Sequence, residues 1–279
     1  MNNRLFVVNK PIGMSSNFYL RKIKRKYKQK KAGFSGTLDP FAQGCLIVAF
    51  DQYTKLFNYL DKTPKSYRAT LWLGVHSDSL DNENVTVLES NPEKVMLKDI
   101  NDAILQLHAE VEYLPPKYSA KKIDGQRAYA LARQGQDVAM KPITMQVYSM
   151  NLIHYRHPFI TFEATVSEGS YIRSLAQLLV EKISSKGTLS SLRRLHEGRF
   201  IYDEQKALDP IEYLKIPRNT YLGDEQWISL GKKIEIQYLE NKNDGEYLLV
   251  FKTFFSIIKI LDEKVSYSLN KIQRDNNVQ

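Results

Sequence analysis

The first carboxylate in the chain, Asp39, lies in the glycine-rich loop GFSGTLDPFAQG, residues 33–44. The 38 residues before it contain ten lysines and arginines but neither aspartate nor glutamate. An isolated carboxylate in basic surroundings could serve as a nucleophile or as a general base. Asp-Pro is also ordinary turn chemistry. Asp39 is therefore either a turn residue or the chemical centre of the protein.

The basic surplus of the chain points to a polyanionic partner. Its 279 residues carry a formal net charge of +9 and have a pI near 9.3. Nucleic acid or an anionic membrane surface would suit such a charge, although a generally basic proteome would produce the same total. The clustering of bases in residues 21–31 favours the specific interpretation.

Disulfide and metal chemistry are not expected. Cys45 is the only cysteine, so neither a disulfide within the chain nor a cysteine metal site can form. His154 and His157 are close in sequence, but no other residue of ligand type joins them, so we interpret them as surface or strand residues. The N-terminus has no signal-peptide pattern, and the apolar runs are too short to span a bilayer. We expect a soluble, cytoplasmic protein.

Hydrophobic periodicity predicts an α+β protein with irregularly alternating strands and helices. A basic amphipathic helix should follow Ser15, Ser16 or Asn17, with Tyr19 and Ile23 on its apolar face. Its charged face is either solvated or a contact for phosphates. Other predicted helices are KDINDAILQLHAEV and RSLAQLLVEKISS, and the predicted strands include RLFVV, LIVAF, SYRATLWLGV, ITMQVYSMNLIHY, FITFEATVSEGSYI, KKIEIQYL, GEYLLVFK and FFSIIKIL.

Five motifs in order resemble the bacterial tRNA pseudouridine synthase B (TruB) family. They are NKPIGMSS (9–16), GFSGTLDPFAQGCLIVAF (33–50), KSYRATLWLG followed by SDSLD, PPKYSAKKIDGQRAYALARQG (115–135), and EGSYIRSLAQLLVEKI (168–183) with LRRL (192–195). The resemblance implies a pseudouridine synthase fold: a central mixed, largely antiparallel sheet flanked by helices. It divides the chain into a catalytic domain (1–208) with an inserted RNA-binding thumb (115–143), a linker (209–221) and a small PUA-like β domain (222–279).

The implied activity is isomerisation of a uridine to pseudouridine at position 55, in the T-arm loop of tRNA. The base is detached from its ribose, turned, and rejoined through carbon. No redox change and no phosphate energy are needed, so neither cofactor nor metal is implied. The implied partner is the T stem-loop of tRNA, without an obligatory protein partner, and the expected state is a monomer.

The resemblance also assigns roles to individual residues. Asp39 matches the catalytic aspartate, either as a nucleophile or as the base that removes the ribose C2′ proton. Arg173 matches the arginine that pairs with it, and Tyr67 the tyrosine that stacks on the target base. Tyr171 shares a face with Arg173 if both lie on a strand. Leu192 matches a residue of the pocket wall, and Lys10 and Gly36 belong to the active-site loop. Tyr118 of the thumb would pack near the cleft. The bases expected to meet the RNA backbone are Lys117, Lys121, Lys122, Arg127, Arg133, Arg193 and Arg194.

Phe34 is the main departure from the family pattern, which has histidine before the T/S-G of the loop. A phenyl ring can stack on bases but cannot donate a hydrogen bond or carry charge. Phe34 motivates a second hypothesis, a non-catalytic RNA-binding or RNA-chaperone protein on the same fold. A third is a metal-dependent lyase or hydrolase that uses Asp39, Asp78 and Asp81. A guide-RNA-dependent synthase is a fourth.

Overall fold

A computed structural model describes residues 3–119, 121–123, 126–128, 131 and 140–274. It is an α+β protein, as the sequence predicts, with short 3-10 helices at Asp51–Leu56, Pro210–Tyr213 and Ile236–Tyr238. The other described elements are, in chain order, β1 (Arg4–Lys10), α1 (Ser16–Lys26), β2 (Ala32–Ser35), β3 (Ala42–Phe50), β4 (Lys65–Leu73), β5 (Val75–Ser77), β6 (Val85–Leu88), α2 (Leu97–Gln106), β7 (Glu110–Tyr113), β8 (Lys122–Ile123), β9 (Gln126–Arg127), β10 (Ile143–Arg156), β11 (Phe159–Val166), α3 (Ile172–Lys182), β12 (Gly187–Glu197), β13 (Phe200–Ile201), α4 (Glu225–Ser229), β14 (Gly245–Val250), β15 (Phe254–Leu261) and β16 (Lys264–Gln273).

A nine-stranded sheet forms the centre of the molecule. Its main path runs β1-β3-β12-β4-β11-β10-β7, with β2 paired to β3 and β13 paired to β12. Every pairing in it is antiparallel except that of β12 with β3, where Leu192 lies opposite Ala42. The predicted mixed, largely antiparallel sheet is confirmed.

Helices α1 and α3 cover the same face of this sheet. Successive strand residues point to opposite faces, so Ala42, Leu46 and Val48 of β3 share one face. Ala42 packs in the core that α3 and α2 cover, whereas Leu46 and Val48 pack under α1. A cleft between α1 and α3 would therefore open on this face, beside the parallel strand pair.

The opposite face of β1 and β3 carries the C-terminal part of the chain. Leu5, Val7 and Ile47 point to this face and form one buried cluster with Phe255 and Ile257 of β15. The sheet β14-β15-β16 thus shares a hydrophobic core with the central sheet. The division into a catalytic domain, a linker and a C-terminal domain stays a prediction.

Three of the strand and helix predictions were wrong in detail. The strand predicted as FITFEATVSEGSYI ends at Val166, and Ile172 at its end begins α3 instead. The segment KKIEIQYL was predicted as a strand, but its Ile236–Tyr238 forms a 3-10 helix. The helix predicted through Val111 ends at Gln106, and Val111 lies in β7 instead. The α1 prediction is confirmed, including Ser15 as the N-cap, whose hydroxyl accepts a hydrogen bond from the Phe18 amide. No helix in the described part of the chain is long and apolar enough to span a bilayer.

Candidate active site

A cleft of about 290 Å³ on the helix-covered face contains Asp39. It lies between the loop that precedes β3 and the start of α3, and the strands β4 and β12 form its floor. Six of the residues that the sequence predicts for the site line this cleft: Asp39, Arg173, Tyr67, Tyr171, Leu192 and Gly36. Residues more than a hundred positions apart in sequence thus converge on one small cavity.

The carboxylate of Asp39 is paired with a buried guanidinium. Arg173 Nη2 lies 2.9 Å from Asp39 Oδ2, and the Arg173 side chain is only 3% exposed, whereas that of Asp39 is 34% exposed. Arg173 also donates to the carbonyl oxygens of Ser79 (2.6 Å) and Tyr118 (2.8 Å). With these bonds the guanidinium is fixed in place, so it holds the carboxylate in one orientation at the opening of the cleft.

Asp81 is a second carboxylate on the same guanidinium. Its Oδ2 lies 3.5 Å from Arg173 Nη1, and its Oδ1 accepts hydrogen bonds from the Ser79 hydroxyl and the Glu83 amide. The sequence had suggested Asp81 only as a metal ligand together with Asp39 and Asp78. Here Arg173 lies between Asp39 and Asp81, a position where a metal ion would meet a positive charge. Asp78 is exposed and lies 3.6 Å from His76.

The groups around Asp39 shift its pKa in opposite directions. Burial raises the pKa of Asp39 above its ordinary value, and Arg173 opposes this rise, while the Asp81 carboxylate adds to it. The net pKa is raised. A carboxylate with a raised pKa is a stronger base and nucleophile once it is ionised, and the Arg173 contact favours the ionised form.

Tyr171 and Arg173 reach the cleft, but not as strand neighbours. Tyr171 is the residue before α3 and has extended backbone angles, whereas Arg173 lies in the first turn of the helix. The expectation that both lie on a strand and share a face is therefore wrong. The two side chains converge because the chain changes from extended to helical between them.

Lys10 supports the loop that carries Asp39, as the resemblance implied. Its side chain is fully buried, and its ammonium donates to the carbonyl oxygens of Pro11 (2.9 Å), Met14 (2.6 Å) and Pro40 (3.4 Å). Burial lowers the pKa of Lys10 to about 8, although the Asp39 carboxylate opposes that shift. Lys10 thereby links the loop before α1 to the residue directly after Asp39.

Ser16 makes a further link between α1 and the Asp39 loop. Its hydroxyl oxygen exchanges hydrogen bonds with the backbone of Leu38, donating to the carbonyl and accepting from the amide, each at 2.9 Å. The amide of Gly13 donates to the Pro40 carbonyl at 2.9 Å. The backbone on both sides of Asp39 is therefore held by the segment that starts α1.

Arg194 is a positioning residue of the Asp39 loop that the sequence had assigned to RNA. It is only 2% exposed, so the expectation of a contact with the RNA backbone is wrong. Its guanidinium donates to the carbonyl oxygens of Gly36 and Cys45, each at 2.8 Å, and pairs with the buried Glu197 at 2.8 Å. Lys65 lies 2.9 Å from the other oxygen of Glu197.

Tyr67 and Leu192 provide the apolar surface of the cleft. Both are mostly buried, at 7% and 5% exposed, on adjacent strands β4 and β12. Burial lowers the pKa of Arg194, but the nearby Glu197 and Tyr67 side chains outweigh this effect, so the pKa stays raised. The mostly buried ring of Tyr67 therefore forms the cavity wall beside a guanidinium that stays charged.

The remaining predicted residues lie outside this cleft. Phe34 is half-buried and packs against the core under α1, and Arg193 is exposed on the strand position next to Leu192. Tyr118 is half-buried and lines a neighbouring groove of about 990 Å³. Lys121 is half-buried as well. The side chain of Lys122 and those of Arg127 and Arg133 fall outside the described residues.

Comparisons with known proteins agree with this geometry. A family model described as "TruB family pseudouridylate synthase (N terminal domain)" matches residues 24–172. A protein of Sulfurovum sp. (strain NBC37-1) named tRNA pseudouridine synthase B is 55% identical over 273 residues, 98% of each chain. A protein of the same name from Campylobacter jejuni (strain RM1221) is 46% identical over 98% of this chain and 99% of its own.

Solved structures with the same fold are distant in sequence. A Cbf5-Nop10-Gar1 complex contains a chain with a TM-score of 0.65 and 18% identity, which covers 97% of this chain and 84% of its own. An H/ACA RNP bound to a substrate RNA gives a TM-score of 0.64 at 17% identity, with 98% and 86% covered. At such identities the likeness concerns the fold alone. Together with the near full-length relatives, these findings establish that the chain belongs to the TruB family of tRNA pseudouridine synthases, which are isomerases.

Proposed function

We propose that the protein isomerises the uridine at position 55, in the T-arm loop of tRNA, and that Asp39 is the reacting carboxylate. The observation that carries the proposal is the contact of 2.9 Å between Asp39 and the buried Arg173 at the edge of a cleft lined by Tyr67 and Leu192. The reaction breaks the bond between the base and its ribose and rejoins the two through C5 of the base. It needs a carboxylate held beside the ribose and a flat surface that holds the base while it turns.

Each cleft residue has a proposed role in this reaction. Asp39 either attacks the ribose or removes the C2′ proton, and both routes need the ionised carboxylate. Arg173 keeps it ionised and oriented. Tyr67 offers a flat surface for the flipped base, and Leu192 excludes water beside it. Lys10 and Arg194 hold the loop so that the carboxylate meets the ribose at a reproducible distance.

The cavity volume supports the entry of a single nucleotide rather than of a duplex. The target base must therefore leave its loop, and the unstacking costs about 3 kcal/mol. Phe34 precedes the cleft residue Gly36 by two positions and packs against the core under α1. We propose that its exposed part stacks on the RNA loop after the base has moved. The proposed working form is a monomer in the cytoplasm that acts on tRNA without a protein partner.

The test uses an unmodified tRNA transcript that carries tritium at uracil C5. Because the new carbon–carbon bond forms at C5, each turnover releases that tritium to water. Asp39→Asn preserves the size of the side chain but removes the carboxylate, and we expect no release from it. The reaction is run in EDTA, so metal-dependent chemistry would be recognised by loss of activity.

Two controls test the modified position in the tRNA and the alternative of a non-catalytic RNA-binding protein. A transcript with cytidine at position 55 should release nothing from an enzyme specific for that position, and release from it would contradict the proposed position. Tight binding of tRNA by wild type without any release would contradict catalysis and favour the non-catalytic RNA-binding alternative. Equal release by wild type and Asp39→Asn would overturn the role of Asp39.

A further inference from the structure

The outer face of α1 carries a stripe of one aromatic and three basic side chains. Phe18, Arg21, Lys22 and Arg25 are spaced as i, i+3, i+4 and i+7, which places them on one side of a helix. All four are exposed, and Phe18 is 46% exposed. Arg21 lies 5.7 Å and Lys22 5.2 Å from the centre of the Phe18 ring. We call these four residues the α1 stripe.

No carboxylate of the described residues forms a salt bridge with the α1 stripe. Residues 1–38 contain no acid that could supply one locally. Like charges at i and i+4, here Arg21 and Arg25, destabilise a helix by about 0.2–0.5 kcal/mol. Arg25 lies in the last turn of α1, where the helix dipole favours a cation and offsets this repulsion. The stripe has no acidic partner among the described residues, so its charge is available to RNA.

The position of α1 connects the stripe to the cleft. Ser16, in the first turn of the helix, binds both backbone groups of Leu38, the residue before Asp39. The helix then covers the same sheet face as α3. Its eleven residues extend over about 16 Å. Because the start of α1 is bound to the residue before Asp39, we expect the RNA backbone that flanks the entering loop to pass along this helix.

We propose that the α1 stripe binds the sugar-phosphate backbone of the substrate RNA outside the loop that enters the cleft. Arg21, Lys22 and Arg25 would contact phosphates, and Phe18 would pack against a base or ribose at the end nearest the cleft. Arginine and lysine bind phosphates through their positive charge, and an exposed aromatic ring can stack on an unpaired base. The inference rests on the proposed function, since it takes RNA as the substrate in the cleft.

The test measures RNA binding separately from catalysis. In an Asp39→Asn background, Arg21→Gln, Lys22→Gln and Arg25→Gln are combined, and Kd for tRNA is measured over a range of salt concentrations. We expect Kd to rise at least tenfold near physiological salt. The slope of log K against log salt should become shallower by about 2 to 3, because each lost phosphate contact removes close to one counterion. Thermal unfolding should show a nearly unchanged midpoint, because loss of the like-charge repulsion and loss of the favourable charge at the helix end oppose each other.

A matched control removes the same charge at the other end of the sheet. Lys94, Lys98 and Arg156 are exposed and lie in or near α2 and at the end of β10. Their combined change to Gln should leave Kd and the salt slope nearly as in the parent. Equal effects of the two triple variants, or no effect of the α1 variant, would overturn the proposal.

Binding to two RNAs shows which part of the tRNA provides the phosphates that the α1 stripe contacts. A T-arm hairpin contains the target loop and its own stem, whereas the full tRNA adds the other arms. A loss of affinity for both RNAs would place the stripe on the T stem, and a loss for the full tRNA alone would place it on another arm. Because binding is measured in the inactive background, a failure to detect pseudouridine would contradict the proposed function without deciding this test.

Discussion

At the scale of single residues, the pKa of Asp39 should determine how activity responds to acid. The carboxylate must be ionised, so activity falls as the pH falls through its pKa. Burial raises that pKa, and the acidic limb of kcat/KM should therefore lie above the value of about 4 for an ordinary aspartate. Asp81→Asn removes a nearby negative charge and should move the limb to lower pH. Arg173→Gln removes the opposing positive charge and should move it to higher pH.

The measurement is the pH profile of tritium release under kcat/KM conditions. Asp78→Asn is the matched control for Asp81→Asn, because Asp78 is exposed and paired with His76 rather than with Arg173. Its profile should coincide with that of wild type. If the acidic limb lies at the same pH in wild type and in the Asp81→Asn, Arg173→Gln and Asp78→Asn variants, Asp39 does not govern the pH profile. Opposite shifts in the two active-site variants are the specific signature of a carboxylate between Arg173 and Asp81.

At the scale of loops and strands, catalysis should depend more strongly on glycine at position 36 than on glycine at position 13. Both glycines have positive φ, +67° and +79°, so alanine is strained at either position by ~1 kcal/mol. A Cβ at Gly36 would also lie 2.8 Å from Glu197 Oε2 and 3.1 Å from Arg194 Nη1, whereas a Cβ at Gly13 meets nothing within 4 Å. We expect Gly36→Ala to lower kcat at least tenfold and Gly13→Ala to lower it little.

Steady-state kinetics and thermal unfolding of the two variants decide this prediction. Because the clash at Gly36 involves the ion pair that holds the Asp39 loop, its effect should appear in kcat more than in KM. A similar loss of kcat in Gly13→Ala would mean that backbone strain alone matters, and that the packing of Arg194 against the loop is not needed for catalysis.

The buried ion pair between Arg194 and Glu197 should matter for stability far more than a surface pair. Glu197→Gln leaves Arg194 and Lys65 buried without their carboxylate, and breaking such a pair costs about 3–5 kcal/mol. Arg68 and Glu163 form a comparable pair on the exposed side of β4 and β11, at 2.6 Å, and exposed pairs contribute about 0–1 kcal/mol. Denaturant unfolding of Glu197→Gln and Glu163→Gln should show this difference, and equal losses would contradict it.

The sequence predicted which residues meet in the cleft better than how the chain brings them there. Asp39, Tyr67 and Arg173 were expected from the family resemblance, and alternation correctly indicated strands β3, β4, β10 and β11. Arg194 was assigned to RNA as one of two adjacent arginines. Its pairing with the buried Glu197 was not expected, because alternation puts residues i and i+3 of a strand on opposite faces. The pairing of β12 with β4 shifts register between Arg194 and His196, and this irregularity brings Glu197 to the side of Arg194. A local irregularity of that kind has no signature in composition or period.

At the scale of the whole molecule, the two faces of the central sheet have different partners. The face with α1, α3 and the cleft is proposed to meet RNA. The opposite face of β1 and β3 is closed by the 3-10 helix Asp51–Leu56 and by the C-terminal sheet, with Phe255, Ile257 and Ile272 fully buried there. The C-terminal strands therefore support β3, the strand that directly follows the active-site loop.

This shared core makes a final prediction about cooperativity. Phe255 is fully buried between the C-terminal sheet and the central sheet, and its ring lies 6.4 Å from that of Tyr53. Phe255→Ala should lower the free energy of unfolding by about 3–5 kcal/mol, and chemical denaturation should still show one transition, because both sheets lose the same contacts. Leu261→Ala, at a position that is 51% exposed on the same strand, should change stability by less than about 0.5 kcal/mol. If the C-terminal sheet folded independently, Phe255→Ala would instead give two unfolding transitions. The C-terminal sheet would unfold in the first, and the central sheet would unfold in the second with loss of activity.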